Sequence, residues 1–355
     1  MHSRAIALRV STTIALASIA ASPLAGCSGA SSTLPAAPAP IAAANAATNA
    51  TGSATLGSIG STLGMDAKKK KKQQLLFVSD NENNRVLVYN AASKTQNPPA
   101  IRTITSGVSG PNGLTTDQAG NLYVANYVSG TVTVYAPNAS TPKTTISSGL
   151  NGPWDVKVDG SGNVYIANDP LFGSTPAFIS EYPAGSSSPS YTWQVPQQGM
   201  TISGFALLNP LQPSETSIYA LEYTLNGSDL ATGGALTCYP GNQTCTQLGG
   251  YSFGQTGGIA VANSPNGNPF EFLAVDQYVP GVDTFTQSQP MQQLVTGGTP
   301  EFIALNSKDN QLFVADRFYG RVVEYSFPAG KQMNSFSPGG AQVYGVATYP
   351  AGTYH

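Results

Sequence analysis

The sequence predicts an all-β fold: a six-bladed β-propeller of four-stranded blades, closed by pairing its N- and C-terminal strands. Three observations predict it. A strand–turn–strand phrase recurs along the chain at intervals of about 40–50 residues, the signature of a radial array. Two kinds of strand segment can be told apart, and six of each are found. The body also begins with one kind and ends with the other, so its two ends complement each other and remove an open sheet edge.

The phrase is clearest at Gly120–Tyr135, GNLYVANYVSGTVTVY, where a turn glycine is followed by a short apolar strand, a turn and a returning strand. It recurs at Leu75–Tyr89, Asn163–Asp169, Ser217–Tyr223, Glu271–Tyr278 and Gln311–Tyr325. Preceding segments at Pro111–Thr116, Pro153–Val158, Ile202–Leu207, Gly257–Val261, Pro300–Leu305 and Val343–Thr348 read as the innermost strands. Asp117-Gln-Ala-Gly-Asn and Asp159-Gly-Ser-Gly-Asn are matching turns between the two kinds, with Asp and Gly where turns favour them. The body starts on the second-type strand Leu75–Val78 and ends on the innermost-type strand Val343–Thr348.

Composition bounds the function. The 355 residues carry a net charge of −2 and are only 10% charged, so there is no basic excess for nucleic acid. The two histidines, His2 and His355, lie at the chain ends, so a site in the body would rely on carboxylates, lysine or tyrosine. No G-x-S-x-G, P-loop or EF-hand loop is present.

Three regions are expected: 1–26 a signal peptide, 27–73 a flexible Ala/Ser/Pro/Gly linker, and 74–355 the propeller. Arg4 and Arg9 precede the apolar Val10–Ala21. Leu24-Ala25-Gly26-Cys27 resembles the lipobox of bacterial lipoproteins. That resemblance implies cleavage before Cys27, a diacylglyceryl group on its thiol and export to the bacterial envelope. With Ser28 following, the sorting would be to the outer membrane if the cell has two membranes. The alternative is an ordinary signal peptide with Cys27 incidental. The nearly uncharged Ser28–Ala67 cannot bury enough apolar surface to fold, and would hold the body about 35 Å from its anchor as a flexible coil. The run Lys68–Lys72 either meets anionic headgroups or is a solvated boundary.

Cys238 and Cys245 frame a Pro-Gly-Asn turn, and symmetric counting about Gly241-Asn242 places them opposite each other. A cross-strand disulfide is expected, suited to an exported chain.

The body resembles the NHL-repeat and gluconolactonase-like propellers. The resemblance rests on Pro111-Asn-Gly-Leu, on Asp117-x-x-Gly-Asn-Leu-Tyr-Val-Ala-Asn126 and on Asn84-Arg-Val-Leu-Val-Tyr89. It covers about Gln74–Tyr349 and is weakest in the third and fourth units, with their longer turns. It implies the fold, and many functions share that fold.

Ligands are expected at one end of the channel. The candidates at the starts of innermost strands are Asn112, Trp154, Asp155, Glu301 and Tyr344. Aromatics at strand ends (Tyr127, Trp193, Tyr223, Tyr278, Phe318, Tyr319) offer flat faces to protein, peptide or glycan. Asp80, Asn126, Asn168, Glu222, Asp276 and Asp316 put an oxygen at the end of every second strand. They either start turns or, as in gluconolactonase-like propellers, help hold a hard cation such as Ca²⁺. The functional expectation is a lipid-anchored, non-catalytic binding or protein-interaction module, with a metal-dependent hydrolase of a lactone or ester as the alternative. A propeller lyase is disfavoured, because those activities are associated with a histidine base.

Overall fold

The computed structural model describes residues 73–170, 175–208, 216–225, 231–263, 270–277, 279–286, 291–339 and 342–352. The expected signal peptide, Cys27, the linker, Lys68–Lys72, Tyr278 and both histidines lie outside the described residues.

Six four-stranded antiparallel sheets form the blades. The first is built from both ends of the body: β24 (Val343–Tyr349), β1 (Leu75–Asp80), β2 (Arg85–Asn90) and β3 (Arg102–Ile104), in that order. The second holds β4 (Pro111–Thr116), β5 (Leu122–Asn126), β6 (Thr131–Tyr135) and β7 (Thr144–Ile146). The third holds β8 (Pro153–Val158), β9 (Val164–Asn168), β10 (Phe178–Tyr182) and β11 (Tyr191–Gln194). The fourth holds β12 (Met200–Leu208), β13 (Ser217–Leu225), β14 (Ala231–Cys238) and β15 (Thr246–Phe253). The fifth holds β16 (Thr256–Ala262), β17 (Glu271–Asp276), β18 (Gly281–Phe285) and β19 (Gln292–Thr296). The sixth holds β20 (Pro300–Leu305), β21 (Gln311–Asp316), β22 (Arg321–Ser326) and β23 (Gln332–Phe336).

The closure expected from the sequence is present. β1 pairs with β24 in the register Leu75↔Tyr349, Leu76↔Thr348, Phe77↔Ala347 and Val78↔Val346. Each blade is covered on both faces by its neighbours, which is why the second strands read as apolar runs rather than as alternating ones. All of Leu122–Asn126 is buried. The hydrophobic clusters lie between blades. Phe77, Val88, Leu114, Val124 and Tyr135 join the first to the second, and Ala125, Val134, Val156, Ile166 and Tyr182 join the second to the third.

The repeated polar residues fix the turns. Asp117 accepts from the backbone N–H of Asn121 at 2.8 Å, and Asp159 from that of Asn163 at 2.9 Å. Tyr123 and Tyr165 donate their hydroxyls to the same two carboxylates. The tyrosines that end the third strands tie down the connectors between blades: Tyr135 donates to Ser106 O and Tyr182 to Ser148 O, both at 2.7 Å. Cys238 and Cys245 form the expected disulfide, with Cα atoms 4.3 Å apart. That hairpin also reaches the neighbouring blade, where the Cys245 N–H donates to Gln194 O at 2.9 Å.

The innermost strands approach one another closely around the axis. A Cβ on Gly204 would sit 2.8 Å from the Cα of Gly258 in the next blade, and one on Gly345 would collide with the carbonyl oxygen of Asn112. Gly113 occupies the same place in β4. Gly345→Ala is expected to lower stability by about 1–3 kcal/mol, as overpacking of a tight core does. Gly249→Ala, in open space on β15, is expected to stay within about 0.5 kcal/mol. Denaturant melts of the two variants check the contrast, and equal effects would refute the close approach.

Candidate functional site

Second strands end, and innermost strands begin, at the same face of the ring. Each innermost strand carries a register irregularity there, for example between Pro111 and Leu114 and between Pro300 and Ile303. This face is the mouth.

The repeated oxygen-bearing residues do a shared structural job. Asn126 accepts from the Ser109 N–H at 3.0 Å, Asn168 from Asn151 at 2.9 Å, and Asp316 from Thr299 at 2.9 Å. Asp276 accepts from the Gly254 N–H at 3.4 Å. In each case the donor lies in the connector that arrives from the preceding blade. Asp80 instead accepts from its own turn, from the Asn83 N–H at 3.3 Å and from Arg85 at 2.7 Å. Asp316 holds Arg321 in the same way, at 2.7 Å. Among the described residues, no group of three or more His, Cys, Asp and Glu side chains is placed to hold a metal ion.

Glu222 departs from this pattern. β13 runs on to Leu225, so Glu222 lies inside the strand rather than at its end. Its Oε1 accepts from Gln247 at 3.3 Å, while its buried Oε2 has no partner. Burial pushes the carboxyl up to about 7.

The residue immediately after each of these oxygens points at the mouth, because side chains alternate along a strand. In four of the blades it meets the second residue of the next blade's innermost strand. Asn81 donates to Asn112 Oδ1 at 2.8 Å. The ring of Tyr127 stands edge-on to Trp154, with centroids 5.5 Å apart. Gln277 donates to Glu301 Oε2 at 2.9 Å. The Arg317 guanidinium lies over the ring of Tyr344, 4.3 Å from its centroid. Trp154 in turn stands edge-on to Tyr344 at 6.4 Å, and its indole N–H donates to Ser203 O at 3.0 Å. The mouth is thus a ring of side chains handed from blade to blade. The sequence reading weighed the oxygen positions and missed Arg317 and Gln277. The signal was present: each follows a repeated oxygen by one residue.

Asn112, Trp154, Glu301 and Tyr344 come together in this ring. Asp155 is fully buried beside it, accepting from Lys157 Nζ at 2.7 Å and from the Phe205 N–H at 3.3 Å. That ion pair belongs to the channel wall, where Lys157 helps line a cavity of about 50 Å³ between the inner strands. Trp193 lies away from the mouth, buried in the cluster that contains Cys238 and Cys245, and donates to Tyr239 O.

A larger cleft of about 830 Å³ opens at the mouth over the fifth and sixth blades, within the size range of small-ligand pockets. Glu301 and Arg317 lie in its wall, with Gln255 and Gln277 beside them and Phe318 and Tyr319 on its rim. Arg317 reaches Glu301 at 3.5 Å. Burial raises the Glu301 carboxyl, opposed by Arg317 and by the hydrogen bond from Gln277. Elsewhere at the mouth, burial pushes Asp169 up to about 7 and also raises Tyr127 and Tyr223, the latter within reach of the charges on Asp169, Glu301 and Arg317. Phe318 is 78% exposed and Tyr319 59%, an unusual place for two aromatic rings.

No protein-family model matches the sequence, and no curated protein does. Among solved structures, the chain is similar to one from a nidogen/laminin complex, with a TM-score of 0.57 and 15% identity over 78% of this chain and 98% of that one. It is also similar to a putative 6-phosphogluconolactonase from Bacteroides fragilis NCTC 9343, with a TM-score of 0.53 and 11% identity over 78% and 98%. A functionally unknown protein from Desulfotomaculum acetoxidans DSM 771 gives 0.52 and 14% over 77% and 98%. These similarities show a shared propeller fold.

Glu222 generates a test with a definite sign. Its folded value lies above its unfolded one, so its contribution to stability is present below the ordinary glutamate range and is lost as pH rises through about 7. Glu222→Gln is therefore expected to melt above the parent at pH 8 and close to it at pH 4.5. A difference that does not change with pH would show that this carboxyl is not what titrates.

Proposed function

We propose that this chain is an exported, lipid-anchored propeller acting as a non-catalytic binding module at the cell envelope, with its ligand seated at the channel mouth. The observation that carries the reading is the mouth cleft itself. It is roomy, walled by polar side chains and rimmed by exposed aromatic rings, which is the make-up of a recognition surface. Of the oxygen-bearing side chains that a metal-dependent hydrolase would draw on, all but Glu222 make bonds that hold connectors and turns. Glu301 is engaged with Gln277 and Arg317. The lipid anchor rests on Leu24-Ala25-Gly26-Cys27 and the arginine-flanked apolar segment before it.

The competing reading, a calcium-dependent lactone hydrolase, draws on the family resemblance. Under the binding reading, calcium and chelator leave the melting midpoint where it was, and a sugar δ-lactone opens no faster than in buffer. A calcium-linked rise in midpoint together with lactone turnover would replace the binding reading with the hydrolytic one. Independently, Cys27→Ser is expected to move the protein from the membrane fraction to the soluble one. Retention in the membrane fraction would refute anchoring through Cys27.

A further inference from the structure

The cleft over the fifth and sixth blades has a specific chemical make-up. Two of its amide side chains, Gln255 and Gln342, each carry a donor and an acceptor on one planar group, while Gln277 donates to Pro300 O and Glu301 Oε2 and keeps its oxygen as an acceptor. Sugar hydroxyls have the same dual character. Phe318 and Tyr319 stand exposed at the rim with their rings edge to face, centroids 5.3 Å apart, and Arg321 lies over one face of Tyr319 at 4.8 Å, leaving the other face open. Such rings take the apolar C–H face of a sugar, which a wholly polar wall would not.

Arg317 sets the charge. Its guanidinium lies over the Tyr344 ring, 4.3 Å from the centroid, its side chain is 44% exposed in the cleft wall, and its contact to Glu301 is long at 3.5 Å. Glu301 has a second and shorter partner in Gln277, at 2.9 Å, so it stays satisfied if the guanidinium turns to another anion. A planar fork of five N–H donors matches a carboxylate in bidentate fashion. A doubly charged phosphate fits worse, because Glu301 and Asp316 lie close by and Arg321 is already taken up by Asp316 at 2.7 Å. A peptide added as a β-strand fits worse too. Each innermost strand is one edge of its sheet, but that edge faces the axis, where the inner strands of neighbouring blades already lie against one another and leave no room for an added strand.

We propose that the mouth cleft binds an acidic oligosaccharide, with one sugar carboxylate on Arg317 and neighbouring rings against Phe318 and Tyr319. This rests on the binding-module reading above. It adds the ligand class, and it predicts discrimination between a sugar acid and its neutral ester.

The test is calorimetric titration of the full chain with three probes: trigalacturonate, its fully methyl-esterified form, and the acidic peptide Asp-Phe-Asp. The expected result is 1:1 binding of trigalacturonate, with the ester weaker by roughly tenfold or more, the size of effect a lost charge-assisted pair produces. Arg317→Gln should erase that preference. Arg317→Lys should erase most of it, since an ammonium keeps the charge and loses the fork. The double variant Phe318→Ala, Tyr319→Ala should weaken both sugars while the melting midpoint holds, because both rings are exposed. Ester binding as tight as the acid, binding of the peptide alone, or no binding of either sugar would overturn the ligand class. In the first two cases the binding-module reading stands. If trigalacturonate binds and is converted to new products, carboxylate recognition survives and the non-catalytic reading fails.

Discussion

At Gly345 the backbone of the last strand lies against the carbonyl of Asn112 in the neighbouring blade, and Gly204 meets Gly258 in the same way. This approach of inner strands around one axis constrains everything outside it. Backbones this close leave little room for side chains on the axis. The channel therefore narrows to a small cavity, and the side chains that begin the inner strands gather at the mouth. Where the row carries a charged side chain, at Asp155, the cost of burying its charge is met by Lys157 and the Phe205 N–H. A Cβ on Gly113 would collide with that same carboxylate, so the small residue in one blade makes room for the acid in the next.

A ring under that constraint has to be shut, because an open one would expose two unpaired edges next to its core. The pairing of β1 with β24 closes it through backbone hydrogen bonds between residues at opposite ends of the body. The remaining order comes from side chains that tie each connector to a blade. The hydroxyls of Tyr135 and Tyr182 do so from one side, and the side chains of Asn126, Asn168 and Asp316 from another. A chain with so few charges achieves much of this with amides and hydroxyls, which can be buried when paired at lower cost than ions, and uses carboxylates at Asp276 and Asp316.

The mouth follows from the same geometry. A residue that clamps a connector points into its own blade, and the next residue points across to the neighbouring one. The positions that follow the repeated oxygens face the mouth, and their chemistry is free to vary because the fold relies on the residue before them. Here the variation yields an aromatic arc of Tyr127, Trp154 and Tyr344, and beside it the polar group of Gln277, Glu301 and Arg317. The exposed rings of Phe318 and Tyr319 continue the surface outward. That combination gives the cleft both an apolar face and a carboxylate-matching fork.

The sequence by itself determined the architecture. Blade number, strand kinds, the closure and the Cys238–Cys245 bridge were legible because each rests on a local and repeated pattern: apolar runs of strand length, Asp-x-x-Gly-Asn turns, and a hairpin short enough to count across. The tertiary structure alone decided what each repeated residue does. Asp155 and Trp154 are adjacent in sequence, yet one is sealed into the channel wall and the other stands at the mouth. Glu222 matched its counterparts in spacing and lost their role because its strand runs three residues longer. Arg317 and Gln277 belong to no repeat of residue type, and acquire partners only when a neighbouring blade brings Tyr344 and Glu301 beside them. Local patterns fix elements because backbone hydrogen bonding and burial are local requirements. A site is assembled by contacts between blades: spacing within one blade marks which position faces the mouth, and the neighbouring blade decides what it meets there.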